Sequence, residues 1–341
     1  MEQAGLLGYE SVKSWLLSLK ASGRGSEETL RKYLFWLGIF CNLHNTDPDT
    51  IVQERLRSMA SGDIMAMQKL KSMLDGFVVH LEERRGLRRN SIAQAVYAVK
   101  SFLTHNGLPV KYTFSFEEGI GGRLPTPEEI LTVYKMLEKT SEKNVEELRA
   151  FLLVAKDSGL SLSTILSLRW ESQQSAWGER PYPSISQQLE TGVNPIHVRV
   201  VRGKTGVKHD SFMGEESIEA LRVLYEKHGG RGLLIPLRDG YIRGRLVRAC
   251  RLSKIEPFSP QMLRKFFNTR MKLAPTILEN VSLQQGYRVY MDVWANIVEY
   301  MSEHSRSRVE KAYFIPPVEV LRGLYLAHYD ALRIFPKNVR V

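Results

Sequence analysis

Residues 196–213, IHVRVVRGKTGVKHDSFM, decide the fold class. Val198, Val200 and Val207 alternate with polar neighbours about a glycine-bearing turn, GKTG at 203–206, which is the pattern of a β-hairpin. No other stretch alternates as convincingly. Upstream, ELRAFLLVAKDSG (147–159) reads as a buried helix, and PTPEEILTVYKMLEK (125–139) opens like a helix capped by Thr126. Pro127 suits its first position, and Glu128 and Glu129 face the positive end of the dipole. Downstream, helical spacing resumes and runs to the amphipathic tail EVLRGLYLAHYDALRIF (319–335), with a helix expected over Val318 to Arg333. The fold class is therefore mainly α, with an α+β second domain holding one small antiparallel sheet.

The first third of the chain is helical throughout. From Val12 to about Val110 apolar residues recur at helical spacing, as in Leu30, Leu34, Leu37 and Ile39, then Val96, Val99, Phe102 and Leu103. The breaks ASGRGS (21–26), NTDPDT (45–50) and RRGLRRN (84–90) divide it into four or five helices. Ser26 with Thr29, and Ser91, sit where N-caps or first turns belong. Met59, Met65, Met67 and Met73 are expected in the bundle core. Tyr112 to Pro127, with Gly121, Gly122 and Pro125, reads as a linker. The expected organisation is a helical domain over 1–118, a linker over 119–127 and a second domain over 128–341.

The chain has 341 residues, 43% of them hydrophobic and 25% charged, which suits two globular domains and excludes disorder and fibrous repeats. No apolar run approaches a membrane span, and MEQAGLLGYE at the start lacks the order of a signal peptide. Cys41 and Cys250 form no CxxC motif or metal knuckle, so a reducing, cytoplasmic setting is expected. His44, His80, His105, His197, His209, His228 and His328 form no metal-spaced pair and read as ordinary surface or core residues. The net charge of +11 favours a polyanionic partner. Residues 1–118 carry +2 of it and the remainder +9.

GxxxxGK[ST], GxSxG and HExxH are all absent. The informative feature is an ordered set: DSGLSLSTILSLRW (157–170), the GKTG hairpin, SPQMLRKFFNTRM (259–271) and YMSEHSRSRVEKAYF (300–314). This order and wording resembles the catalytic domain of the tyrosine recombinases, or phage-type integrases. LRKFF, a histidine nine positions before a tyrosine, AYF and a closing helical tail are most similar to archaeal integrases. The resemblance covers essentially the whole chain, with the first domain resembling the family's core-binding, SAM-like DNA-binding domain. It implies a two-domain, C-shaped clamp on double-stranded DNA, acting in the cytoplasm at the nucleoid. It further implies cleavage and rejoining through a 3′-phosphotyrosine, as in type IB topoisomerases, for integration or excision of a mobile element.

Carried over residue by residue, the resemblance makes Tyr313 the nucleophile, His304 a phosphate ligand, Arg264 the arginine of the HxxR box and Lys204 the general acid. Arginines suit such a site because the phosphoryl transition state gathers negative charge on its non-bridging oxygens. No metal or other cofactor is implied. Three positions depart from the pattern. The family's first arginine is replaced by Ser161, with Thr164 where a glutamate is usual, and the HxxR histidine is replaced by Gln261. Arg169, two turns further along the helix that starts after Ser161, together with Arg149, Arg180 and Arg202, are the candidate cations to substitute for the first arginine. A segment VSLQQGYRVYMDVW (281–294) is additional to the pattern.

Basic clusters expected to contact DNA phosphates are Arg84, Arg85, Arg88 and Arg89 at the first-domain turn, Arg199, Arg202 and Lys208 on the hairpin, and Arg243, Arg245, Arg248 and Arg251 further on. The resemblance also implies self-assembly to a dimer or tetramer on DNA through the C-terminal tail, with folding back onto its own domain as the alternative. Two functional readings follow: a site-specific recombinase or integrase, or a recombinase-derived DNA-binding protein whose cleavage is weak or lost because of Ser161.

Overall fold

Ser26 Oγ accepts from the Thr29 amide at 3.3 Å, and this cap starts the helix Glu27–Leu43, one of the two longest of the N-terminal bundle. The computed structural model describes residues 3–23, 25–62, 65–114, 123–173, 182–201, 208–279, 285–302 and 317–336. The chain divides into two units, Met1–Gly121 and Gly122–Val341.

The first unit runs through α1 (Gln3–Leu6), α2 (Glu10–Ala21), α3 (Glu27–Leu43), α4 (Pro48–Ala60), α5 (Met65–Val79) and α6 (Arg89–His105). Their apolar stripes meet around Trp15, Leu37, Phe40, Phe77, Val99 and Phe102, all at most 1% exposed. Trp15 stacks on Tyr33 at 5.8 Å and meets the edge of Phe102 at 5.4 Å. Each such side chain contributes about 1.5–3 kcal/mol by leaving water. The methionine expectation is corrected here: Met65, in the first turn of α5, is 59% exposed. Met73 is half-buried against the core, and the side chains of Met59 and Met67 lie outside the described residues.

In the second unit, α7 (Pro127–Met136) starts as its sequence predicts. Thr126 and Glu129 form a reciprocal capping box with Pro127 behind them. α8 (Val145–Ser158) is buried along almost its whole length and ends at Gly159, which adopts φ +63°. α9 (Leu162–Ser167) and α10 (Ile185–Glu190) precede the hairpin of β1 (Ile196–Val201) and β2 (Lys208–Met213). The strands pair antiparallel with Ile196 opposite Met213 and Val201 opposite Lys208. α11 (Glu215–His228), α12 (Asp239–Leu252), α13 (Pro260–Glu279), α14 (Gln285–Met301) and α15 (Val318–His328) complete the unit, and a 3-10 turn (Tyr329–Leu332) follows α15. The protein is thus mainly helical with a small antiparallel sheet.

Arg169 is not on the helix after Ser161, which corrects that expectation. α9 ends at Ser167 because Leu168 turns extended and its carbonyl accepts from Leu234 N at 2.8 Å, leaving Arg169 bridged to Leu233.

The tail is held by a buried polar network within its own unit. Lys156 Nζ, fully buried, lies 2.5 Å from Asp157 Oδ1 and 2.6 Å from Glu216 Oε2, and donates to Leu332 O at 3.1 Å. Tyr325 Oη donates to Asp157 O and Tyr329 Oη to Asp157 Oδ2, both at 3.1 Å, while Glu216 accepts from the amides of Ile334 and Phe335. Leu321, Tyr325, Leu332 and Ile334 join the main hydrophobic core. Of the two expectations for the tail, folding back on its own domain accounts for its apolar face.

Cys41 and Cys250 are free and buried, and burial pushes the Cys41 thiol up to about 12. Among the described residues no helix is long and apolar enough to cross a membrane, and no cluster of His, Cys, Asp and Glu is placed to hold a metal ion.

Candidate active site

The site is built around the C-terminal end of α8. Gly159 takes the left-handed conformation that closes a helix, and a Cβ there would lie 2.3 Å from Phe267 Cδ1. The turn 159–161 therefore packs directly on α13, one turn from Arg264. Arg264 is 4% exposed, and its carbonyl accepts from Asn268 Nδ2 at 3.0 Å. The Asn268 carbonyl oxygen in turn accepts from Ser302 Oγ at 2.7 Å. Ser302 is two residues before His304.

The hairpin is tied to the same place. Ser211 Oγ donates to Ser158 O at 2.7 Å, joining β2 to the last residue of α8. Tyr300 Oη donates to Asp210 Oδ2 at 2.8 Å, and the neighbouring His209 Nδ1 lies 3.0 Å from Tyr300 O. The segments leading to Ser161, Arg264, residue 202 and His304 are thus fastened to one another by short, buried or part-buried hydrogen bonds. Lys204, His304 and Tyr313 themselves lie outside the described residues, as do Arg180 and Arg202.

Ser161 caps α9. Its Oγ accepts from the Thr164 amide at 3.3 Å and lies 2.7 Å from Thr164 Oγ1. Ser161 and Thr164, two of the three departures from the pattern, therefore work as a pair, one capping the helix and the other closing the cap. Gln261 is exposed near the start of α13. Of the other cations considered for the missing clamp, Arg149 is engaged with Glu138 at 3.0 Å and stacks over Tyr134.

The expected phosphate contacts fall into two groups. Arg84, Arg85 and Arg88 are exposed where α5 runs into a π turn and α6 begins, and Arg89 stacks over Phe114 and approaches Glu82 at 3.6 Å. On the hairpin, Arg199 is only 9% exposed; its Nε donates to Asp210 Oδ1 at 2.8 Å and its guanidinium stacks over Tyr182. His197 Nε2 reaches the same oxygen at 2.7 Å. Burial alone would raise the Asp210 pKa, but these partners and Tyr300 outweigh it and hold the carboxyl well below its usual range. Lys208 is half-buried. On α12, Arg243 pairs with Asp239, Arg245 donates to the Thr140 carbonyl, and Arg248 and Arg251 are exposed. The Asp210 cluster is a site feature that the sequence reading missed; the alternating H, R and D of 197, 199 and 210 were its only local signal.

No protein-family model and no characterised protein matches this sequence. Solved structures that this chain matches include a XerA recombinase, at 15% identity and a TM-score of 0.36, over 94% of this chain and 98% of that one. A lambda integrase dimer bound to a COC′ core site is similar at 15% identity and a TM-score of 0.46, over 90% and 98%. A XerH site-specific recombinase bound to palindromic difH substrate, a post-cleavage complex, is similar at 14% and 0.44, over 74% and 68%.

Proposed function

We propose that the chain is a DNA strand transferase of the tyrosine recombinase type, a site-specific recombinase or integrase acting on double-stranded DNA. Tyr313 attacks a backbone phosphodiester, forms a 3′-phosphotyrosine and releases a 5′-hydroxyl; the 5′-hydroxyl of a partner strand then reverses the step. Arg264 and His304 stabilise the charge on the phosphoryl oxygens, Gln261 adds a neutral donor, and Lys204 delivers a proton to the departing oxygen. Integration or excision of a mobile element, of the kind served by archaeal integrases, is the role this chemistry suits. Arg84, Arg85, Arg88, Lys208, Arg243 and Arg248 supply sequence-independent contacts to the backbone. Assembly on DNA through the tail would have to use its outward residues, of which Val320 is 51% and Leu326 45% exposed.

The observation that supports this reading best is the hydrogen-bonded chain Arg264–Asn268–Ser302, together with the Ser158–Ser211 and Asp210–Tyr300 bonds. Four segments distant in sequence, three leading to a residue of the recombinase pattern and one to Ser161, share one set of anchors.

The test is relaxation of supercoiled plasmid at low salt, with a denaturing gel to detect covalent protein–DNA adduct. Relaxation and adduct are expected from the parent and absent from Tyr313→Phe. Adduct that persists in Tyr313→Phe overturns the assignment of the nucleophile. The second reading, a DNA-binding protein with attenuated cleavage, is favoured by one observation: the Ser161 hydroxyl is committed to capping α9. It predicts a parent that binds DNA without relaxing it.

A further inference from the structure

A cleft of about 500 Å³ lies between the loop joining α7 to α8 and the first turns of α12, and its lining includes neither the 159–161 turn nor α13. Tyr241 stands in it. The phenol oxygen is 2.8 Å from Ser141 Oγ and accepts from Asn144 Nδ2 at 3.3 Å. Either hydroxyl can donate in the Ser141–Tyr241 bond, and Ser141 Oγ also accepts from the Asn144 amide at 3.3 Å. When Ser141 donates, the phenol proton is left for a ligand in the cleft. The hydrogen bonds from Ser141 and Asn144, and then the charge of Arg245, hold the Tyr241 pKa below its ordinary 10.0, which makes the hydroxyl a stronger donor.

The cations around it are arranged rather than scattered. Arg245 is fixed by stacking on the Tyr241 ring at 4.8 Å and by donating to the Thr140 carbonyl. Arg248, one turn on, is exposed and makes no salt bridge among the described residues. Lys139 and Lys143 line the cleft from the loop. Two carboxylates share the lining, Glu138 and Glu142, and Glu138 is drawn to Arg149 at 3.0 Å. Four cations and a donating phenol therefore oppose one unpaired carboxylate.

We propose that this cleft binds a phosphate group, with Tyr241 Oη and Arg248 as donors to its oxygens and Arg245, Lys139 and Lys143 as the surrounding positive charge. A tetrahedral oxyanion suits donors that converge from two sides, and the cleft has the volume of a small-ligand site. The chemistry has two sources, a free phosphate or the backbone of a nucleic-acid duplex. The duplex source rests on the proposed DNA contact of Arg248 and deepens it, the free-phosphate source does not, and failure of strand transfer is read separately, from the Tyr313 adduct.

The experiment has two arms on the full chain. The first is equilibrium dialysis of labelled inorganic phosphate at constant ionic strength. The second is titration of a short duplex over a range of salt. Both are repeated with Arg248→Ala, Arg248→Lys and Tyr241→Phe, with thermal unfolding as the check on folding. Phosphate retained by the parent, weakened about tenfold in Arg248→Ala and Tyr241→Phe and less in Arg248→Lys, identifies free phosphate. A salt slope for the duplex that falls by about one in Arg248→Ala, with no phosphate retained, identifies the backbone. A parent that holds neither ligand, or an Arg248→Ala that folds and matches the parent in both arms, overturns the proposal.

Discussion

Lys156→Met should unlatch the C-terminal tail. The Lys156 ammonium is 0% exposed and sits between two carboxylates, 2.5 Å from Asp157 and 2.6 Å from Glu216, with the Leu332 carbonyl at 3.1 Å. Methionine fills much the same volume but leaves two buried carboxylates facing each other with no cation between them. Breaking a buried pair in this way costs about 3–5 kcal/mol. For a unit of this size, Tm falls by about 2–4 °C for each kcal/mol, so the drop should be roughly 6–20 °C. The readouts are thermal unfolding by circular dichroism and tryptic cleavage at Arg322 and Arg333, both on the tail. Adding Glu216→Gln removes one of the unpaired charges while keeping an oxygen for the Ile334 and Phe335 amides, so the double variant should recover part of the loss. Burial by itself would lower the Lys156 pKa, but Asp157 and Glu216 outweigh it and raise it above the ordinary 10.5. The stabilisation is therefore complete at neutral pH and is lost only as pH rises through the folded value. A loss under about 1 kcal/mol, or a double variant no better than the single one, would refute the reasoning.

Three further outcomes are expected. Gly159→Ala combines φ +63° with a Cβ 2.3 Å from the Phe267 ring, and should cost about 3 kcal/mol or more in urea unfolding; adding Phe267→Leu should return the steric part and leave the backbone part. Asp210→Asn should destabilise the protein by about 3 kcal/mol at pH 7, because it leaves Arg199 buried without its carboxylate. Since the folded Asp210 pKa is depressed below its ordinary 3.8, the stability it contributes is present above that value, and the gap between parent and variant should close as pH falls below it. Removing residues 318–341 should unfold the second unit rather than free it for assembly, because Tyr325 and Leu332 are fully buried; a truncated chain with the parent's Tm would show that the tail is an appendage.

What was legible in the sequence was whatever depends on neighbours in the chain. Thr126, Pro127 and Glu129 interact within four residues, and the hairpin pairs strands close together in sequence, so both could be read from spacing alone. Lys156 and Asp157 end an apolar run that reads as a buried helix, and the run does not show what pairs with their charges. Their partners are Glu216, Tyr325, Tyr329 and Leu332, from about 60 to 176 residues away, and no local pattern announces them. Arg169 was misplaced for the same reason, since the helix before it is stopped by a hydrogen bond from Leu234. Arg199 read as a DNA contact because its charge is visible in the sequence and its pairing with Asp210 is not. Of the recombinase pattern, the order and spacing were plain, and the structure adds the anchors that join its segments.

The Ser161 departure gives two effects of opposite sign, and they can be measured apart. Ser161 with Thr164 satisfies an amide at the start of α9. Ser161→Arg removes that cap and should cost about 1 kcal/mol of stability whatever the protein does. If the strand-transfer reading holds, the same substitution supplies a cation where the transition state gathers charge. That is worth on the order of 3 kcal/mol, or about a hundredfold to a thousandfold in rate, by analogy with one oxyanion donor. Faster relaxation from a less stable protein would mean that the natural site works without this clamp and that the serine serves the helix. Lower stability with no gain in relaxation or adduct, in a variant that still binds DNA, would mean that position 161 does not face the phosphate. In that case the resemblance at this turn is one of backbone only, and the DNA-binding reading takes precedence.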